Sequence, residues 1–211
     1  MGRCCDKAYE GFFSERVARR DARRYARRGL DRTSRRVVAM AGRHGVGGRS
    51  VLEVGGGVGA VPIELLRAGA DRAVVLEMSP AYDVPARELV DAAGLGGRVE
   101  RRIADLATTP DVPAADLVVM NRVVCCDPEG PRLAGAAAAH TRSLLLVTYP
   151  RASWWTRLAV GSLNAVQRLR RDPFRVHVHP PAAIAAAVRA EGLAPADLRR
   201  GVFWELRSFT R

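Results

Sequence analysis

At 211 residues, with 48% hydrophobic and 27% charged side chains, the chain suits one globular domain with a sizeable core, and its composition excludes a disordered or fibrous protein. The net charge of +12 is uneven, with 14 bases and 5 acids in residues 1–50 against 20 and 17 in the rest. No apolar run approaches the roughly 20 residues that cross a bilayer, and Met1-Gly2-Arg3-Cys4-Cys5-Asp6 carries no apolar signal core, so a cytoplasmic protein without a membrane span is expected.

The first predicted element is a helix over 14–28. Arg16, Arg20, Arg24 and Arg28 form one row at spacing four, and Arg19, Arg23 and Arg27 form the next. Val17, Ala18, Ala22, Tyr25 and Ala26 take the other side, with Phe12 and Phe13 just before it. A second helix is expected over 31–44, ended by Gly45-Val46-Gly47-Gly48. The pattern then alternates. Strands are predicted at 50–54, 72–76, 99–103, within 115–124 and at 143–149. Helices are predicted at 60–68, 80–93 and 129–140. Apolar strands separated by helical segments read as βαβ units around a parallel sheet covered on both faces. Helices at 152–171 and 181–191 follow, and 197–211 reads as a closing hairpin with its turn near Arg200-Gly201. The expected architecture is a doubly wound α/β fold: a seven-stranded, mostly parallel sheet with one antiparallel closing strand, preceded by N-terminal helices. The expected organisation is an N-terminal helical lid over 1–48, part of the same domain as 49–211, with a substrate-covering insertion over 150–180.

Val51-Leu52-Glu53-Val54-Gly55-Gly56-Gly57-Val58-Gly59 carries the most specific signal. An apolar strand ends in an acid and breaks into glycines at every second position before a helix begins. Such a loop lets a ligand lie against bare backbone amides. The spacing G-x-G-x-G differs from the G-x-G-x-x-G that cradles a pyrophosphate. It resembles the first motif of the class I S-adenosylmethionine-dependent methyltransferases. The resemblance covers residues 50–150. It implies a Rossmann-like methyltransferase fold, S-adenosyl-L-methionine as cofactor and methyl transfer to an acceptor.

The resemblance also implies roles for particular residues. Glu53 would attract the cofactor's positive charges, with Gly55, Gly57 and Gly59 facing its amino-acid half. Glu77, with Met78 beside it, would accept the ribose hydroxyls, Asp105-Leu106 would meet the adenine, and Asn121 would stand at the substrate-facing edge. Arg122, Cys125 and Cys126 lie on that edge, and Trp154 and Trp155 of the insertion are expected to cover it. Phe12, Phe13 and Tyr25 would close from the other side. Tyr149 and His179, the latter with His177 nearby, are candidate general bases, although proximity and orientation alone carry many methyl transfers. The layout of basic N-terminal helices, lid and Pro-rich stretch before the last helix resembles the magnesium-protoporphyrin methyltransferases, without any residue motif.

Three further features bear on partners. Ten arginines fall between Arg16 and Arg36. They admit an RNA-directed methyltransferase, but no aromatic stacking platform accompanies them. The family's amino-methylating members for RNA and DNA often carry (N/D)PP(Y/F) where this chain reads Asn121-Arg122-Val123-Val124. A small-molecule acceptor is therefore expected and nucleic acid is not. A catalytically inactive cofactor-binding accessory protein is the non-enzyme alternative. The adjacent pairs Cys4-Cys5 and Cys125-Cys126 match no zinc spacing, so no metal site is expected. Adjacent thiols near a transferred methyl would suit a thiophilic acceptor such as a metalloid, against the plain reading of small apolar packing residues.

Overall fold

The computed structural model describes residues 11–109 and 111–211. Two helices come first, α1 (Glu15–Arg28) and α2 (Arg32–Arg43), then β1 (Ser50–Val54), α3 (Ala60–Arg67), β2 (Arg72–Glu77), α4 (Asp83–Ala92) and β3 (Val99–Ile103). The second half contains β4 (Ala115–Asn121), α5 (Gly130–Ala139), β5 (Thr141–Pro150), α6 (Trp154–Leu169), α7 (Pro181–Ala190), β6 (Ala194–Arg200) and β7 (Trp204–Thr210). They build one seven-stranded sheet in the order β3-β2-β1-β4-β5-β7-β6. β1, β2, β3, β4 and β5 pair in parallel, and β7 runs antiparallel to both β5 and the edge strand β6. This is the expected doubly wound architecture.

Alternation along the strands divides the core between the two faces. Leu52, Val54, Val118, Met120, Leu145 and Val147 pack with the alanine-rich α5 and with α7. Val51, Leu117, Val119, Leu144 and Leu146 face the other way, onto α2 and α3. The alanines of α5 let α7 approach closely. Asp31 caps α2 by accepting from the Thr33 and Ser34 amides at 2.8 and 3.2 Å. Chain order reverses between β1 and β4, so their carboxyl ends flank the crevice where a ligand of such a sheet sits.

Most observed boundaries fall within two residues of the expected ones, and two differ more. The segment after β2 opens with a 3₁₀ turn over Pro80–Tyr82 before α4. β6 starts at Ala194, three residues before the expected hairpin. Its Pro195 obscures the strand in the sequence and is tolerated because β6 is the sheet edge and shifts register between Pro195 and Leu198. No helix among the described residues is long and apolar enough to cross a membrane. Cys4-Cys5 lies outside the described residues.

Candidate functional site

Two connected cavities open at the carboxyl ends of β1 and β4, of about 220 and 270 Å³, sharing Asp21, Gly55, Gly57, Tyr82, Asn121 and Arg122. Glu53 and the glycine loop line the first. Glu77, Met78, Asp105, Leu106 and Cys126 line the second. The acid near the end of β1, the one ending β2 and the one following β3 therefore stand along one groove.

The glycine loop owes its shape to close approach. Gly55 sits at φ +65°, a conformation other residues adopt only with strain. A Cβ on Gly56 would come within 2.3 Å of Val75 Cγ1 and 2.7 Å of Glu53 Oε2. Glu77 clamps the loop: Oε2 accepts from the Gly57 amide at 2.7 Å and Oε1 from the Ser79 amide at 2.9 Å. Gly59 is the left-handed N-cap of α3 and is not among the groove-lining residues.

Beneath the loop lies a charged cluster. Glu53 is 2% exposed, and its Oε2 has no hydrogen-bond partner. Burial pushes its carboxyl well above the usual range; nearby Arg101 opposes this and Glu77 adds to it. Arg101 reaches in from β3, donating to the Gly57 carbonyl at 3.0 Å and lying 3.5 Å from Asp83. Its guanidinium pKa is lowered by burial, against the pull of the three acids. Arg101 lacks any sequence signal, because it stands between Glu100 and Arg102 in a strand whose three central residues are all charged.

Arg122 follows β4 in the left-handed region at φ 65°, uncommon for a residue with a Cβ. Three contacts hold it. Its amide donates to Thr148 Oγ1 at 2.7 Å, its guanidinium meets Asp31 at 2.5 Å, and the guanidinium lies 5.3 Å from the Trp204 ring centroid. Asn121 is held by Ser34 and Thr148, donating to Ser34 Oγ and accepting from Thr148 Oγ1 at 3.0 Å each. The Cys125 and Cys126 sulfurs lie 3.9 Å apart, and each donates to the Arg122 carbonyl at 3.5 Å. Cys126 lines the groove, whereas Cys125 packs in the interior.

The N-terminal helix lies across the groove. Tyr82 donates to Asp21 at 3.2 Å, Tyr25 to Glu64 at 2.7 Å, and Ser79 to the Phe13 carbonyl at 2.8 Å. Ala18 and Ala22 let α1 pack closely. Its other arginines point outward, but Arg24 lines the groove. Asp21 had no signal in the sequence, sitting as a lone acid among arginine rows.

Several expected residues stand elsewhere. Tyr149 is 1% exposed in the sheet and donates to Glu205 at 2.9 Å. His179 donates from Nε2 to the Asp127 carbonyl at 2.9 Å, fastening the segment before α7 to the turn before α5. Neither lines the groove. Trp154 is 76% exposed and Trp155 packs 6.4 Å from Phe203, so neither covers the groove. The residue of this segment that does approach the N-terminal segment is Phe174, stacked on Phe12 at 4.3 Å and edge-on to Phe13 at 5.4 Å. Helical periodicity points to the tryptophans, but the contact with Phe12 and Phe13 comes from the irregular chain after α6.

No protein-family model matches this sequence, and no curated protein does. Solved structures do match. A magnesium protoporphyrin IX methyltransferase from Synechocystis with bound S-adenosylhomocysteine is 21% identical, with a TM-score of 0.69 over 85% of this chain and 81% of that one. An O-methyltransferase family protein from Burkholderia thailandensis is 24% identical, with a TM-score of 0.73 over 96% of this chain and 62% of that one. A [4+2]-cyclase is 15% identical, with a TM-score of 0.64 over 84% and 80%. The fold is that of the class I S-adenosylmethionine-dependent methyltransferases, and it has also been put to other chemistry.

Proposed function

We propose that this chain is an S-adenosylmethionine-dependent methyltransferase acting on a small-molecule acceptor. The observation that carries the reading is Glu53. A buried carboxylate with an unpartnered oxygen, at the edge of a cavity floored by glycines, asks for a cation. Arg101 offsets part of that charge from nearby, but it donates to the Gly57 carbonyl and lies against Asp83, and no hydrogen bond from it reaches Oε2. An amino-acid ammonium fits that vacancy of charge.

The rest of the groove fits the same group. The carboxylate of Glu77 keeps lone pairs for ribose hydroxyls beyond those used by Gly57 and Ser79. Asp105 stands at the far end, with Met78 and buried Leu106 as apolar flanks for a flat base. Asn121 lies between the two cavities. S-adenosylmethionine supplies, when bound, a methyl group activated by its sulfonium. Arg122 and Cys126 then border the acceptor side. Asp21, Tyr82 and Phe13 border the groove on the side of α1. Direct displacement needs orientation above all, which suits a groove where neither candidate base stands. The neighbours named by their acceptors lend no support to an RNA-directed reading.

Titration calorimetry with S-adenosylhomocysteine tests the cofactor assignment, and micromolar binding is expected. Incubation with methyl-labelled S-adenosylmethionine and a host metabolite extract tests turnover, with label expected in a small molecule. Absence of S-adenosylhomocysteine binding would sink the proposal. Binding without transfer to any metabolite would leave an accessory or non-transferring role, as the cyclase illustrates for this fold.

A further inference from the structure

A third cavity, of about 430 Å³, lies beside the groove. Arg32 and Arg36 of α2, Arg151 just after β5 and Arg200 at the end of β6 line it, together with Phe203 and Trp204. Among the described residues no acid lines it. Glu205 sits behind it and pairs Arg200 at 3.5 Å, but it already accepts from Tyr149 and faces Arg207. One buried carboxylate cannot neutralise four guanidinium groups, so the cavity keeps a strongly positive potential.

The walls of this cavity are built. Arg151 donates to the Gly201 carbonyl at 3.3 Å, and its amide bonds the Phe203 carbonyl at 2.9 Å. A Cβ on Gly201 would fall 2.7 Å from Arg36 Nη1 and 2.8 Å from the Trp204 carbonyl. The hairpin turn is thus shaped to admit Arg36. Phe203 meets Trp204 edge-on at 5.2 Å and Trp155 at 6.4 Å, making an aromatic shelf next to the arginines.

The cavity also adjoins the groove. Trp204 lines it and carries the guanidinium of Arg122, which lines both groove cavities. The first turn of α2 divides the two: Asp31 and Ser34 face the groove, Arg32 and Arg36 the basic cavity. Guanidinium groups match the planar geometry of carboxylate and phosphate, and they stack on rings. A ligand chosen by both features is flat, aromatic and negatively charged.

We propose that this arginine-lined cavity binds the anionic end of the methyl acceptor, and that the acceptor is an aromatic small molecule bearing an oxyanion. The proposal rests on the methyltransferase reading for the word acceptor; the binding site stands on the cavity itself. The ring lies along Phe203 and Trp204, and the remainder of the molecule passes Arg122 towards the groove.

The test uses the full chain, saturated with S-adenosylhomocysteine, and three probes of one shape: 2-naphthoate, 2-naphthyl phosphate and 2-naphthalenemethanol. Both anions are expected to bind at least tenfold tighter than the alcohol, the stronger of them naming the oxyanion. An Arg36→Met/Arg200→Met variant should weaken both anions at least tenfold, leaving the alcohol and S-adenosylhomocysteine unchanged. Arg32→Met, at an exposed position, serves if the double variant fails to fold and should cost the anions at least threefold. Equal binding of anions and alcohol, or wild-type anion affinity in a folded variant, would overturn the proposal. So would displacement of the naphthyl acids by lower concentrations of tRNA than of either acid, which would give the cavity to nucleic acid. Loss of S-adenosylhomocysteine binding with anion binding intact would instead strike the methyltransferase reading and leave the cavity assigned.

Discussion

Asp31 and Arg122 lie 91 residues apart in sequence and meet at 2.5 Å. The contact ties the start of α2 to the end of β4 at the substrate-facing edge of the groove. The same carboxylate caps α2 and is approached by Arg24 at 3.9 Å. One acid therefore sets a helix start, aims the residue after β4 and receives an arginine from α1. The edge of the site is held by a charge network as much as by packing.

That network predicts a pH dependence. Burial would raise the Asp31 carboxyl, yet Arg122 and the Ser34 and Thr33 amides outweigh it and hold its pKa below the ordinary value. A depressed carboxyl stabilises the fold above its unfolded pKa of about 3.9, and the contribution is lost as pH falls through the folded value. Asp31→Asn keeps a cap acceptor and removes the charge. It should cost about 1 kcal/mol at neutral pH, with wild type and variant converging as pH falls through the lowered folded pKa. Thermal melts from pH 2 to 8 check this. Parallel curves would refute it.

Arg122 combines a strained backbone with useful contacts, and two substitutions separate them. Arg122→Ala loses the ion pair and keeps the left-handed strain. Arg122→Gly loses the pair and relieves the strain, so it should be more stable than the alanine variant by about 1 kcal/mol. Chemical denaturation measures the difference. Alanine equal to or better than glycine would mean that the φ of 65° costs nothing.

The sheet, its order of elements and the groove acids were legible because periodicity and the glycine spacing are local signals. Glu53, Glu77 and Asp105 each end or follow a strand, so their convergence follows from topology alone. Arg101 and Asp21 were not legible, since their importance comes from burial beneath a loop and from a helix laid across it. Trp154 misled for the opposite reason. Its size and spacing suggest a covering wall, but α6 turns it to solvent, and the aromatic of this region that meets Phe12 and Phe13 is Phe174, from irregular chain. The basic cavity draws on three separate segments, a convergence that no window of sequence displays.

Glu53→Gln should exchange function for stability. The raised carboxyl binds more protons folded than unfolded, so its stability contribution is present below its ordinary range and is lost as pH rises through the raised folded value. Glutamine removes that slope, and Arg101 keeps Asp83 and Glu77 as counter-charges. Melts from pH 5 to 9 should decline less with pH for the variant. S-adenosylhomocysteine affinity should fall about 10- to 100-fold, the weight of a charged hydrogen bond of about 1.5–3 kcal/mol. Unchanged affinity would remove Glu53 from the site.

Tyr149 separates a structural hydroxyl from a catalytic one. Its O–H donates to buried Glu205, which also faces Arg200 and Arg207. Burial beside that carboxylate pushes the phenol above its ordinary range, so it holds its proton at neutral pH and cannot act as a base there. Tyr149→Phe leaves Glu205 its two arginines and should cost about 1 kcal/mol, a fall in Tm of about 2–4 °C at this chain length. Methyl transfer to the acceptor should keep its kcat within about twofold, since the side chain stands away from the groove and proximity carries the reaction. A fall of about 100-fold in kcat at unchanged Tm, the size expected when a general base is lost, would return Tyr149 to the catalytic machinery.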